Sequence, residues 1–111
     1  YKTAIKLLIP DKFDFDTPVF PCVFPNWDNT PRKGRKGFVL ENSTPEMFSE
    51  HFTDAINLVK ENRDEEKIVF VKSWNEWAEG NVLEPYVFKG QIDTPLKVVT
   101  DFKEKQTKLS N

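Results

Sequence analysis

The sequence predicts an α/β fold with parallel strands, and three observations carry that prediction. Two short runs of β-prone residues, "VFPCVF" at 19–24 and "KIVFV" at 67–71, show almost no polar alternation, the pattern of strands covered on both faces. An amphipathic stretch lies between them and a second one follows. Each run ends in a segment rich in tryptophan, amide and acid, "PNWDNT" and "SWNEWAEG", and in parallel α/β folds the loops at the carboxyl ends of strands build the functional site.

The elements follow in order. Tyr1, Ala4, Ile5 and Leu8 have helical spacing and Pro10 closes that helix. Residues 11–18 form a charged connector with Phe13 and Phe15 as anchors. In the first strand Pro21 and Pro25 cannot donate to a ladder, so the strand is short or bulged. Residues 26–37 read as a long loop, a length that often carries function. Ser43 or Thr44 caps the next helix, Pro45 suits its first position and Glu46 its dipole. Phe48, Phe52, Ala55, Ile56 and Val59 then make one stripe on a helix of about 17 residues. "RDEE" is a polar turn, and Ile68 to Val71 form the clearest strand. A second long loop spans 79–93. Thr94 and Pro95 start a last helix running to Lys105, with Leu96, Val99 and Phe102 inward and Val98 beside them.

Composition narrows the function. A chain of 111 residues holds one core, and 31% charged residues with net charge −2 leave a mixed surface. Arg32, Lys33, Arg35 and Lys36 cluster, but Asp14, Asp16, Asp28 and Glu41 interrupt any phosphate-tracking stripe, so nucleic acid is not expected as a partner. Cys22 is the single cysteine and His51 the single histidine. An intrachain disulfide, a Cys/His zinc site and a histidine triad are thereby excluded, and His51 is expected as a partly exposed helix residue. No apolar run is long enough to span a membrane, and no Gly-rich nucleotide loop is present. No metal or other cofactor is expected. The chain opens without methionine in residues that already look structural, as a piece of a longer protein would.

The chemistry concentrates in the two strand ends. An indole face matches the C–H face of a pyranose, and carboxylates and amides suit its hydroxyls. Trp27, Asp28, Asn29, Trp74, Asn75, Trp77 and Glu84 are therefore candidate sugar-binding residues. Glu76 and Glu79 stand three apart, so a helical turn brings both carboxyls to one side. One pKa of such a pair should rise while the other stays low, supplying an acid and a base, the pair that glycoside chemistry requires. The plainer reading makes Trp74 and Trp77 core residues and the two glutamates solvated acids. It makes Trp27, Asp28 and Glu84 structural.

"FPNWDNTPR", "STPEMF" and "WNEWAEGNVLEP", in that order, resemble the carboxyl-terminal part of the WbsX-like glycosyltransferase family of bacterial lipopolysaccharide O-antigen and capsule clusters, over about residues 18–90. "WNEWAEG" is also similar to the catalytic strand end of the family 99 glycoside hydrolases. The resemblance implies a (β/α)8 TIM-type barrel, of which this chain supplies the last strand–helix units, with the rest of the barrel upstream or strands shared between copies in a homo-oligomer. It implies a glycan or glycosyl-lipid substrate in the bacterial cytoplasm. It further implies Glu79 as general acid/base and Glu76 as the base that deprotonates the sugar 2-hydroxyl, giving a 1,2-anhydro-sugar. Ala78 stands where the hydrolases usually carry histidine, so hydrolysis and transfer both stay open, and the alternative is a non-catalytic glycan-binding module or a structural barrel fragment with no site of its own.

Overall fold

The computed structural model describes residues 1–9, 18–61, 66–87, 90, 92 and 95–109. Helix α1 (Lys2–Leu8) ends where Ile9 turns extended. Strand β1 (Cys22–Val23) leads into a short helix α2 (Thr30–Lys33) and then the long helix α3 (Pro45–Glu61). Strand β2 (Phe70–Val71) is followed by β3 (Asn75–Glu76), β4 (Asn81–Val82) and helix α4 (Pro95–Leu109).

β1 and β2 pair in parallel, with Cys22 opposite Phe70 and Val23 opposite Val71. Pro21 costs this ladder nothing, because it enters through its carbonyl, which accepts the Phe70 N–H at 2.9 Å. The Lys72 N–H closes the other end on the Val23 carbonyl at 2.7 Å. α3 is the crossover between the two strands, as a parallel pair requires. Thr44 caps α3 by accepting the Met47 N–H on its hydroxyl at 3.3 Å, and Pro45 occupies the first turn, where its missing N–H is harmless.

The core forms where the stripe of α3 meets β1. Phe48, Phe52, Ala55 and Leu58 surround Val23 and Ile9, with Val69, Val71, Val98, Val99 and Phe102 against them. The Phe52 and Phe102 rings meet edge to face at 5.5 Å and hold α4 on α3. The fold is thus α/β with one parallel pair and helices against it, and among the described residues no barrel is closed.

Several expectations need correction. The ladders are two residues long, not four to six, and they are not covered on both faces: Cys22 is exposed and Phe70 is 55% exposed. Among the described residues α3 packs against β1, and α1 and α4 pack against α3. The loop expected over 26–37 contains α2 and a 3-10 turn at Gly34–Lys36. The second one contains β4, which pairs antiparallel with β3. On α4, Val98, Val99 and Phe102 reach the core and the helix runs on to Leu109, with Leu96 only partly buried. The anchors Phe13 and Phe15, most of the "RDEE" turn and the helix start at Thr94 lie outside the described residues.

His51 is also corrected, from partly exposed to fully buried. The Phe24 and Tyr1 rings meet it edge on at 5.3 and 6.2 Å. The Tyr1 hydroxyl donates to the Phe24 carbonyl, so its 3.3 Å contact with His51 Nδ1 needs the proton on that nitrogen. Nε2 is left buried without a partner among the described residues. Desolvation pushes the imidazole pKa down to about 4.

Candidate functional site

The site is built where β1 and β2 end, and one main-chain bond joins the two segments there. The Asp28 N–H donates to the Glu79 carbonyl at 2.8 Å. On the first segment, Asp28 Oδ1 accepts the Thr30 N–H at 2.9 Å and the Thr30 hydroxyl at 2.6 Å. Those two bonds start α2 and hold the Asp28 carboxyl below the usual carboxylate range. Asn29 Oδ1 accepts the Phe38 N–H at 2.7 Å, and its carbonyl accepts the Arg32 and Lys33 N–H groups at 3.1 and 3.0 Å. Asp28 and Asn29 thus shape the loop that aims Arg32.

The second segment is a small hairpin. Asn75 faces Val82 and Glu76 faces Asn81 across the β3–β4 pair, joined by the four residues from Trp77 to Gly80. A 3-10 turn at Trp77–Glu79 and a left-handed Gly80, φ 62°, make that connection. A Cβ at Gly80 would meet Asn26 Nδ2 at 3.2 Å, so any other residue there would strain the left-handed backbone and push the Asn26 side chain aside by a few tenths of an ångström. Ser73 enters the hairpin at φ 64° and accepts the Glu76 N–H on its hydroxyl at 3.0 Å. The Trp74 carbonyl accepts the Leu83 and Glu84 N–H groups, each at 2.9 Å.

Both glutamates converge on one guanidinium. Arg32 Nη2 is 3.0 Å from Glu76 Oε1 and Arg32 Nη1 is 3.6 Å from Glu79 Oε1. Lys72 Nζ donates to Glu79 Oε2 at 2.9 Å and stands 4.1 Å from the centre of the Trp27 ring, a cation–π contact. The expected same-side placement of the carboxyls is met, but the expected rise of one pKa is not found at Glu79. The Lys72 hydrogen bond, helped by the charges of Lys72 and Arg32, outweighs desolvation and holds the Glu79 carboxyl below the usual range.

The aromatic groups are not core. Trp74 is 51% exposed and Trp77 58% exposed, which removes the plainer reading of both. The Trp77 indole N–H donates to Glu84 Oε1 at 2.5 Å, and its ring meets Tyr86 edge to face at 6.0 Å. Trp27 is partly buried under Lys72. Asn75 is exposed on β3. The described residues bring all nine candidates to the two joined segments. Sequence reasoning missed Arg32 and Lys72 as partners of the glutamates. Arg32 was visible as part of a basic cluster and Lys72 as the cation ending the clearest strand, but nothing in one dimension set either beside an acid. Among the described residues no group of His, Cys, Asp and Glu side chains could hold a metal ion, and no helix is long and apolar enough to cross a membrane.

Comparison with known proteins shows the family of the chain. The family model described as Glycosyltransferase WbsX matches residues 1–92. Two curated proteins, each called uncharacterized protein WxcX and coming from two strains of Xanthomonas campestris pv. campestris, are 37% identical over 71 residues. The matched stretch is 63% of this chain but only 10% of either relative. No solved structure matches the chain. With both strand-end segments inside the matched span, the chain belongs to the WbsX glycosyltransferase family.

Proposed function

We propose that this chain carries the acidic strand ends of an enzyme that acts on glycosidic bonds in bacterial surface-polysaccharide synthesis, using Glu76 and Glu79. The observation that carries the reading is the convergence of both carboxylates on Arg32, at an open edge bordered by Trp74 and Trp77. Two carboxyls within reach of one sugar, with indole faces to hold it, are what leaving-group protonation and activation of an attacking group require. In this proposal Glu76 takes the proton of the sugar 2-hydroxyl and Glu79 serves the leaving oxygen. Trp27, Asn75 and Glu84 hold the glycan around them, with Asp28 and Asn29 at its edge. The resemblance to family 99 hydrolases supports those roles, as does membership of a family described as glycosyltransferases. A (β/α)8 barrel completed by residues beyond this chain is the setting it implies.

For Glu79 to give up a proton it must first hold one, and Lys72 opposes that. Substrate entering over Trp27 would therefore have to draw the ammonium away from the carboxylate. The same ion pair favours a second reading, in which the site binds glycan without reacting and the acids only accept hydroxyl hydrogens. Glu76→Gln and Glu79→Gln in the complete protein separate the two. Under the catalytic reading each lowers turnover by about 100-fold or more with glycan affinity kept. Unchanged turnover in both variants would refute it.

A further inference from the structure

Beside the glutamates lies a cleft that shares only Trp77 with the residues given roles above. It holds about 270 Å³ and is lined by Asn26, Ser43, Thr44, Trp77, Gly80 and Tyr86. Sites for drug-sized ligands run to roughly 300–1,000 Å³, so this one has the scale of a single ring. Its position follows from the topology. Asn26 lies three residues past β1, Ser43 and Thr44 precede α3, and Pro95, also on the wall, opens α4. Strand exits and helix starts share one side of a parallel α/β layer, and ligands bind in the crevice there. The cleft shares Trp77 and Gly80 with the turn that carries Glu79.

The lining is specific in kind. The Trp77 and Tyr86 rings stand at 72° to each other, and the indole is 58% exposed. The polar lining groups are an amide and two hydroxyls, with no carboxylate and no cation among the lining residues. With Pro25, Pro45, Val82 and Pro95 making the rest of the wall apolar, that combination suits a neutral polyol with an apolar face, and without a cation it suits an anion poorly. Asn26 carries a further sign. Its Oδ1 is enclosed and has no hydrogen-bond partner among the described residues, a condition that costs free energy unless something else supplies the donor.

We propose that this cleft is a subsite for one neutral pyranose unit of the glycan, stacked on Trp77 and Tyr86 and read by Asn26 and Ser43. The proposal rests on the glycan reading above and adds the residues that choose the sugar. Asn26 selects by one hydroxyl, so its loss should act unequally on epimers. Ser43 is the second reader, and Thr44 is left to its capping duty.

The test is titration of the complete protein with methyl α- and β-glycosides of glucose, mannose and galactose, read by tryptophan fluorescence and calorimetry. At least one of them should bind, with a loss of about three- to tenfold in Asn26→Ala for that sugar and a smaller loss for its epimers. Tyr86→Ala should weaken all of them together. Ser43→Ala gives the same selective loss if Asn26→Ala does not fold. Equal affinities for every sugar in wild type and in folded Asn26→Ala and Ser43→Ala would overturn the proposal, as would absence of binding across the panel. Turnover independent of Glu79 would end the catalytic reading while leaving these affinities where they are.

Discussion

Arg32 and Glu76, 44 residues apart in the chain, meet with Nη2 and Oε1 3.0 Å apart. The same guanidinium reaches Glu79 at 3.6 Å. One cation from the first strand end thus neutralises part of two acids on the second, and it lets them stand together.

Removing that cation should be felt in chemistry more than in stability. Arg32 is exposed, and exposed ion pairs contribute little to folding. Arg32→Met is therefore expected to leave the melting temperature nearly unchanged while cutting turnover of the complete protein. Comparing a melting curve with a rate assay checks both halves.

Lys72→Met should move the alkaline limb of the pH–rate profile upward, and by more than Arg32→Met does, because the general acid Glu79 must be protonated to act and the Lys72 hydrogen bond is the leading cause of its low pKa. The stability effect has a definite sign. A depressed carboxylate pKa stabilises the fold above the ordinary Glu value and loses that effect as pH falls through the folded value. The difference between wild type and Lys72→Met should accordingly be largest near neutrality and vanish in acid, which denaturant titrations at several pH values will show.

His51 predicts a second pH dependence. Its pKa falls from 6.5 unfolded to about 4 folded, so the unfolded chain binds the extra proton between those values. Stability is full above pH 6.5 and drops as pH falls toward 4, by roughly 3 kcal/mol in all. His51→Leu should flatten that slope between pH 6.5 and 4. An unaltered slope in the variant would remove His51 as its source.

Gly80→Ala combines a left-handed φ of 62° with a close approach to Asn26. The backbone cost alone is about 1–2 kcal/mol. A loss of that order in denaturant unfolding, with weaker glycan binding from a displaced Trp77, is the expected result.

Phe48→Ala tests the core. Phe48 is fully buried between α3 and β1, and such truncations cost about 3–5 kcal/mol. A small effect in chemical denaturation would mean that α3 is held from elsewhere.

Much of this was legible in one dimension because the signals were local. Thr44, Pro45 and the Phe48–Phe52–Ala55 stripe mark α3, which starts at Pro45 and runs 17 residues as the pattern requires. The carboxyl end of β2 delivers Trp74 and Glu76 where an α/β reading puts them. The parts that were not legible depend on contacts distant in sequence. His51 reads as a surface residue until Tyr1 and Phe24 close over it. Arg32 reads as one of four solvated cations until the Asp28–Thr30 turn aims it. The strand ladders shrink to two residues, because β-propensity marks where a strand is possible and pairing decides where it stops.

The bond from the Asp28 amide to the Glu79 carbonyl is a latch between the two loops. Whatever grips Trp77 pulls on Trp27 as well, so the arms of the site arrive as a pair. The Asp28 amide proton is then a gauge of that latch: its exchange with solvent should slow when a ligand tightens the grip and quicken when either loop is pried loose.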